Sequence, residues 1–241
     1  RYNTKKIIKM SKRRYSKYSK MNPVGFTKPP FASFNPHDYE SPVLRNENMI
    51  ITSIDPGIVN CGVYVNCINT KENTKKSLYL ARLEFNKGID HYTESIKKFQ
   101  ELEETHSYFS SSHYIIIESQ MAISYHNTRM GQHLISFFMT FLKNKGNRPL
   151  IIEFNSQSKT RLLGCPKGLK KPEYKVWCKD KALELLRLRG NESEEKFINC
   201  LQKSKKKDDM GDAVCQCEAW MMVYNGEGIS IPKPVSRLPE V

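Results

Sequence analysis

The chain has 241 residues and a mass of 28.0 kDa, and 39% of its residues are hydrophobic, so it can bury one sizeable core. Its formal net charge of +14 and pI near 9.4 favour a polyanionic partner, because Lys and Arg bound to phosphates release condensed counterions. No run approaches the roughly 20 apolar residues that cross a bilayer, and no secretory signal is visible. We therefore expect no membrane partner, and nucleic acid is the leading candidate. A soluble protein with a basic tail is the plainer alternative.

Residues 1–48 differ in composition from the rest of the chain. The first twenty interleave Lys and Arg with Tyr and contain no acid, and the following stretch is rich in Pro. Such a segment cannot bury enough apolar surface to offset its ordering entropy, so we predict a largely flexible, mostly extended arm. It could clamp DNA without reading sequence, direct the protein to an organelle or the nucleus, or simply increase solubility.

Residues 49–225 are predicted to form one α/β domain. The short apolar run MIITSID predicts a buried strand that stops at Pro56-Gly57, and CGVYVNCI and SLYLARLEF predict two more strands joined by a hairpin. Apolar residues at helical spacing predict a helix from His91 to about Thr105. The unbroken apolar run in HYIIIES is typical of a central strand buried on both faces.

The rest of this domain continues the alternation of helices and strands and is mostly helical after the last strand. GQHLISFFMTFLKNKGN is predicted to be an apolar helix, and PLIIEF a fifth strand. Two helices follow, WCKDKALELLRLR and DDMGDAVCQCEAWMMVYNG, the second of which carries an apolar stripe and ends at Asn225-Gly226. The predicted order is β-β-β-α-β-α-β followed by helices, with residues 226–241 as a tail. The stripe comprises Met210, Ala213, Val214, Cys217, Trp220, Met221 and Tyr224.

The cysteines favour a reducing environment. The seven form an odd set without any C-x-x-C pair or a following His at zinc-finger spacing, so we expect neither a disulfide framework nor a structural zinc site. Several lie in apolar stretches, where free Cys behaves as a small hydrophobic residue. An intracellular protein of the cytoplasm, the nucleus, a viral replication site or a mitochondrion is expected.

Four carboxylates lie at the ends of predicted elements. Asp55 and Glu118 each end an apolar strand, and Asp209 and Asp212 begin the last helix three residues apart, on one face. Each has an ordinary explanation as a turn residue, a solvated strand end or a helix cap. All four falling at element ends in this order favours a metal site instead, because clustered acids in a buried position need a cation.

The ordered set of motifs resembles the RuvC-type Holliday junction resolvases. The segment I-D-P-G at 54–57 is similar to the opening strand and turn of that family, I-E-S-Q at 117–120 to its second acidic motif, and D-D-M-G-D-A at 208–213 to its final D-x-x-D-A helix. That last match selects Asp209 and Asp212 rather than Asp208. The segment QSKTRLLG at 157–164 resembles a further stretch and matches Lys159 to a family lysine, and Lys175 falls where the family has a second lysine.

The resemblance covers about residues 49 to 224 and implies both a fold and a chemistry. The fold is RNase H-like, of the retroviral-integrase type, with a five-stranded mixed sheet flanked by helices. The implied activity is a homodimeric endonuclease that resolves four-way DNA junctions by symmetric paired nicks. Each site would use two Mg²⁺ ions, for which Mn²⁺ substitutes, and no small-molecule cofactor. The ligands would be Asp55, Glu118, Asp209 and Asp212, with Lys159 and Lys175 assisting catalysis.

The loop at 167–174 is longer and more basic than in compact bacterial enzymes of this family, and the N-terminal arm is additional. Both features resemble the branch of large DNA viruses and mitochondria. Candidate phosphate contacts are Arg129, Lys167, Lys170 and Lys171. Tyr125 or His126 could wedge into a branch point, although a plain surface role is the simpler interpretation.

Three other classes of function stay open at this point. A nuclease acting on RNA/DNA hybrids is the nearest, because a metal site does not by itself select its substrate. A protein that binds branched DNA without cutting it would not need Asp209 and Asp212 as a pair. The segment D-P-G-x-x-x-x-G also resembles the phosphate loop of the actin and sugar-kinase ATPases, but 12 glycines and one main domain fit that class poorly.

Overall fold

The computed structural model describes residues 31–34, 48–85, 90–120, 124–143, 149–204 and 207–224. Strands and helices alternate in the predicted order, and the regular elements among the described residues after 155 are all helical. The strands are β1 (Phe31–Phe34), β2 (Asn48–Asp55), β3 (Asn60–Asn69), β4 (Thr74–Glu84), β5 (Tyr114–Ser119) and β6 (Leu150–Asn155). The helices are α1 (His91–His106), α2 (Tyr108–Ser111), α3 (Tyr125–Phe141), α4 (Ser156–Leu162), α5 (Lys171–Arg187), α6 (Glu195–Lys203) and α7 (Lys207–Tyr224), and a 3-10 turn (Glu192–Glu194) precedes α6.

The described strands form one mixed sheet in the order β1-β6-β5-β2-β3-β4. β2, β5 and β6 are parallel neighbours, whereas β3 and β4 continue from β2 as an antiparallel meander. The predicted mixed sheet of five strands is thereby confirmed. A sixth strand, β1, lies within the stretch predicted to be an arm and pairs antiparallel with β6 at the edge of the sheet. The rest of that arm and the tail from residue 226 lie outside the described residues.

Each face of the sheet carries its own core. On one face, α1 and α3 cover side chains of alternate strand positions, including Ile54, Val63 and Ile117, together with a group of phenylalanines. On the other face, α5, α6 and α7 cover residues of the opposite parity, including Ile51 and Tyr64. This alternation follows from the two-residue period of a strand, so neighbouring positions such as Ile54 and Asp55 face opposite layers.

Helix α7 is buried on nearly all sides. Its predicted apolar stripe is buried apart from the partly exposed Tyr224, but Gln216 and Glu218, outside the stripe, are buried too. The Gln216 amide nitrogen donates hydrogen bonds of 3.1 Å to Ser53 Oγ and to the carbonyl oxygens of Ile54 and Ile116. These bonds join α7 to the middle of β2 and β5 and thereby fix the position of the helix along the sheet.

The structure differs from the sequence expectation at several element boundaries. Helix α5 begins at Lys171, six residues before the predicted start, because Pro172 occupies the first turn and Glu173 accepts a 2.7 Å hydrogen bond from the Lys170 backbone nitrogen. Part of the predicted basic loop is therefore helical. Helix α3 also begins six residues early, at Tyr125. The β3–β4 ladder extends into the predicted loop as far as Asn69 and Thr74.

All seven cysteines are free, as expected from their pattern. Among the described residues, no helix combines the length and the apolar character that a membrane crossing requires.

Candidate metal centre

The site lies where the carboxyl ends of β2 and β5 meet. The two strands are parallel neighbours, and their register pairs Ile54 with Ile117, so Asp55 and Glu118 follow at the same level. Their carboxyl groups are close enough for Glu118 to raise the pKa of Asp55. The predicted convergence of these two strand-end acids therefore holds in the structure.

Gly62 allows the start of α7 to approach this edge of the sheet. It lies opposite Asp55 in the β2–β3 ladder, on the face that α7 covers. A Cβ atom at position 62 would lie 2.1 Å from the carbonyl oxygen of Asp209, which no real side chain tolerates. The backbones consequently touch, and this contact brings Asp209 and Asp212 to the same edge as Asp55.

Lys159 is the cation at the centre of these acids. Its side chain, contributed by α4, is fully buried, and its Nζ lies 2.5 Å from Asp212 Oδ1 and 3.3 Å from Glu118 Oε2. Burial alone lowers the pKa of an amine, but the Asp212 and Glu118 carboxylates outweigh it and raise the pKa of Lys159 well above its usual value. The ammonium is thus held charged between the acids.

The surroundings of Asp55 disfavour its charged form, whereas those of Lys159 favour the charged form. Burial, followed by the negative charges of Glu118 and Asp212, raises the pKa of Asp55 well above its ordinary value, and Lys159 offsets this only in part. Carboxylates crowded in this way repel one another unless a cation joins them. The acids are therefore more numerous than the single buried ammonium can neutralise.

Three donors converge on one oxygen of Asp212. Besides Lys159, the hydroxyl of Tyr174 donates to Oδ1 over 3.2 Å, and the thiol of Cys178 donates to the same atom over 3.1 Å. Tyr174 and Cys178 lie one turn apart on α5. They orient the carboxylate by saturating Oδ1.

Asp209 has a buried oxygen without a partner. Its Oδ2 makes no hydrogen bond, and burial together with the adjacent charge of Asp208 raises its pKa to about 6. Lys175 is ion-paired with Asp208, which holds the pKa of Lys175 above its usual value, rather than with the two predicted ligands. Lys175 therefore lies beside the acids but does not bridge them as Lys159 does.

Within the described ranges, no three His, Cys, Asp or Glu side chains are grouped as a ready metal site. The residues nevertheless fit a divalent cation of the Mg²⁺ type, which prefers carboxylate oxygens. Two observations support the fit, namely the unpartnered Asp209 Oδ2 and the uncompensated crowding around Asp55.

The candidate phosphate contacts lie on exposed surfaces. Arg129, near the start of α3, places its guanidinium over the rings of Tyr92 and Tyr125, 5.2 and 5.5 Å from their centroids. Tyr125 is 61% exposed, and its neighbour His126 is exposed as well. Lys167, Lys170 and Lys171 are exposed immediately before and at the start of α5, and Lys170 and Lys171 lie about one turn before Tyr174.

Sequence reasoning missed several residues of the site. Tyr174 ended a stretch interpreted as a loop, whereas Cys178 lay at the start of the predicted helix, so their shared helical face was not visible. Gln216 stands between two cysteines in a largely apolar stretch, and a polar residue in that position was the available signal of a buried hydrogen-bonding role. Arg82 lies in the predicted strand SLYLARLEF, where nothing marked it as part of the site, but in the structure it lies in the same row as Asp55 and Gly62.

The chain has the RNase H-like fold of a solved Holliday junction resolvase, and this agrees with the fold that its motifs predicted. A fowlpox virus resolvase, solved in complex with substrate Holliday junction DNA, matches with a TM-score of 0.51 and 19% identity, covering 73% of this chain and 99% of that one. At this identity the likeness concerns the fold. No protein-family model matches the chain.

The sequence relatives are proteins of iridescent viruses. Protein 170L of Invertebrate iridescent virus 6 is 29% identical over 143 residues, and the match covers 51% of this chain and 56% of the relative. Protein 97L of Invertebrate iridescent virus 3 is 26% identical over 125 residues, covering 52% and 56%. Both are described as uncharacterized. The chain spans little more than half the length of these curated relatives.

Proposed function

We propose that this chain is a metal-dependent endonuclease that resolves four-way DNA junctions by symmetric paired nicks. The observation that carries the proposal is the arrangement of Asp55, Glu118 and Asp212 around Lys159 at the carboxyl ends of two parallel strands. The fold supports it, because the fowlpox virus resolvase with the same fold was solved with junction DNA.

The four acids Asp55, Glu118, Asp209 and Asp212 would hold Mg²⁺, or Mn²⁺ in its place, with two ions in each site. Bound there, the ions would activate a water and stabilise the oxygens that enter and leave the phosphorus. Asp209 offers its free buried oxygen, and Asp212 keeps Oδ2 available because its three donors all bind Oδ1.

In this proposal the two lysines interact with negative charge on the DNA rather than with the metal ions. Lys159, buried and fully protonated, is positioned to stabilise negative charge that develops beside Glu118 and Asp212. Lys175 is more exposed and, once separated from Asp208, can contact a backbone phosphate. The first lysine therefore belongs to the chemical step, and the second to substrate positioning.

The DNA surface in this proposal consists of exposed cations around the acidic centre. Arg129 on α3 and Lys167, Lys170 and Lys171 at α5 bind phosphates, which positions DNA without reading its sequence. The net charge of +14 supplies long-range attraction. A homodimer presents two centres, one for each of the two strands that are nicked symmetrically.

The test uses the purified full chain with three 5′-labelled substrates: a synthetic four-way junction, a linear duplex of the same sequence, and an RNA/DNA hybrid. With Mg²⁺ we expect paired nicks at symmetric positions on the junction alone, and no product with EDTA. Asp55→Asn is expected to bind the junction without cutting it. Asp180→Asn, which alters an exposed acid on α5, is the matched control and should cut normally.

The same experiment separates the competing functions. Preferential cutting of the hybrid would assign the site to an RNase H-type nuclease. Junction binding without any Mg²⁺-dependent product would instead indicate a non-catalytic binding protein. If Asp55→Asn lost binding and cutting together, Asp55 would have a structural role.

A further inference from the structure

A single row of residues crosses three strands beside the acids. Asp55 in β2 lies opposite Gly62 in β3, and Gly62 in turn lies opposite Arg82 in β4. Directly opposed residues of antiparallel strands project from the same face of the sheet, so Asp55 and Arg82 flank Gly62 on the face that α7 covers. Because adjacent strands are about 4.8 Å apart, the two backbones are separated by roughly 10 Å.

Asp209 fills the middle of this row. Gly62 has no side chain, and the Asp209 backbone rests directly on it. The acids on one flank and Arg82 on the other therefore lie on either side of the Asp209 backbone at the start of α7. The Arg82 charge reaches Asp209, since it lowers the pKa of that carboxyl against the larger effects of burial and Asp208.

Two buried atoms of these oppositely charged side chains have no hydrogen-bond partner. Asp209 Oδ2 has no hydrogen-bond donor, and Arg82 Nη1 has no acceptor. The other terminal nitrogen of Arg82 is ion-paired with Glu84, and the Arg82 side chain is only 17% exposed. A buried guanidinium nitrogen without an acceptor is costly, and so is a buried carboxylate oxygen without a cation.

We propose that Arg82 binds a non-bridging oxygen of the DNA phosphate that lies against the acids. This inference rests on the proposed function, because it assigns the substrate phosphate to that same site. A phosphate with an associated divalent cation supplies what both atoms lack, an anionic oxygen for Arg82 and a positive charge for Asp209. Guanidinium groups suit this role because their planar, charged donors match phosphate oxygens.

The test compares junction binding by the full chain with that of Arg82→Gln, using Ca²⁺ in place of Mg²⁺. We expect the affinity of Arg82→Gln to fall about tenfold or more, as for loss of a hydrogen bond to a charged group. The slope of log K against log salt should decrease by about 0.9, the value for one phosphate contact. Arg82→Lys keeps the charge and should restore the slope. Lys97→Gln, whose side chain is 75% exposed on α1, is the control.

Mn²⁺ binding measured by calorimetry without DNA distinguishes this role from a structural one. Arg82→Gln should bind Mn²⁺ at least as tightly as the unmodified chain, because a positive charge beside Asp209 has been removed. An unchanged salt slope would overturn the proposal, whether or not Mn²⁺ binding is weakened. If the unmodified chain binds junctions but never cuts them, the nuclease proposal fails while the salt slope still decides the role of Arg82.

Discussion

Gly62 and Asp209 are in direct backbone contact. A Cβ atom added at residue 62 would lie only 2.1 Å from the Asp209 carbonyl oxygen. Gly62→Ala must therefore push α7 away from β3. We expect a loss of about 2 kcal/mol in the free energy of unfolding, measured by urea denaturation, together with loss of junction cutting.

Gly131→Ala is the matched control for that substitution. An added Cβ at this position in α3 meets only Pro56 Cγ at 3.8 Å and the Glu118 carbonyl oxygen at 4.0 Å. The variant should be as stable as the unmodified chain or more so, by up to about 1 kcal/mol, because Ala favours helix. Equal destabilisation by both variants would contradict the proposed contact.

Lys159→Ala removes the buried ammonium between Glu118 and Asp212. In EDTA we expect the free energy of unfolding to fall by about 3 kcal/mol, because the carboxylates lose their buried counterion. Added Mg²⁺ should stabilise this variant more than the unmodified chain, since the cation then replaces the missing charge. Thermal unfolding with and without Mg²⁺ measures both effects, and equal stabilisation by Mg²⁺ would count against the assignment.

Asp209 gives the metal-free protein a defined pH dependence. Its pKa in the folded protein, about 6, exceeds that of an ordinary Asp, so the folded state binds the proton more tightly than the unfolded state does. Its contribution to stability is therefore lost as the pH rises from about 4 to about 6. Asp209→Asn should be more stable than the unmodified chain at pH 8 in EDTA, and the difference should vanish near pH 4. A constant difference across this range would contradict the assignment.

Tyr174 and Cys178 are expected to act through Asp212. Tyr174→Phe and Cys178→Ala each remove one donor from Oδ1 and leave the carboxylate freer to rotate. We expect Mn²⁺ affinity to fall about tenfold, the usual cost of losing a group that orients a metal ligand, with little change in fold. Calorimetric Mn²⁺ titration measures the effect, and Tyr125→Phe on the exposed surface of α3 is the control. Unchanged Mn²⁺ affinity in both variants would refute it.

The parts of the site that sequence alone predicted are those with a strong local pattern. Asp55 and Glu118 follow uninterrupted apolar runs, which indicate both the strand and its end. Lys159 had no such pattern and was identified only through the family resemblance. Tyr174 and Cys178 depended on a helix start that Pro172 and Glu173 determine, and that boundary was predicted too late.

The edge strand β1 and the placement of Arg82 could not be predicted from sequence, because both depend on tertiary contacts. Phe31–Phe34 is a four-residue strand whose hydrogen-bonding partner, β6, lies more than a hundred residues away, so no local pattern announces it. Arg82 lies in a strand of alternating character, where a charged residue ordinarily faces solvent. Only the pairing through Gly62, across from Asp55, shows that it faces the covered layer instead.

The three hydrogen bonds of Gln216 couple the positions of the proposed metal ligands on α7 to the interior of the protein. Gln216 lies one helical turn beyond Asp212, and its bonds to β2 and β5 set how far α7 can slide along the sheet. A slip by one residue would break all three bonds and shift both α7 carboxylates by about 1.5 Å. The spacing between carboxylates on different elements is therefore set by a fully buried amide.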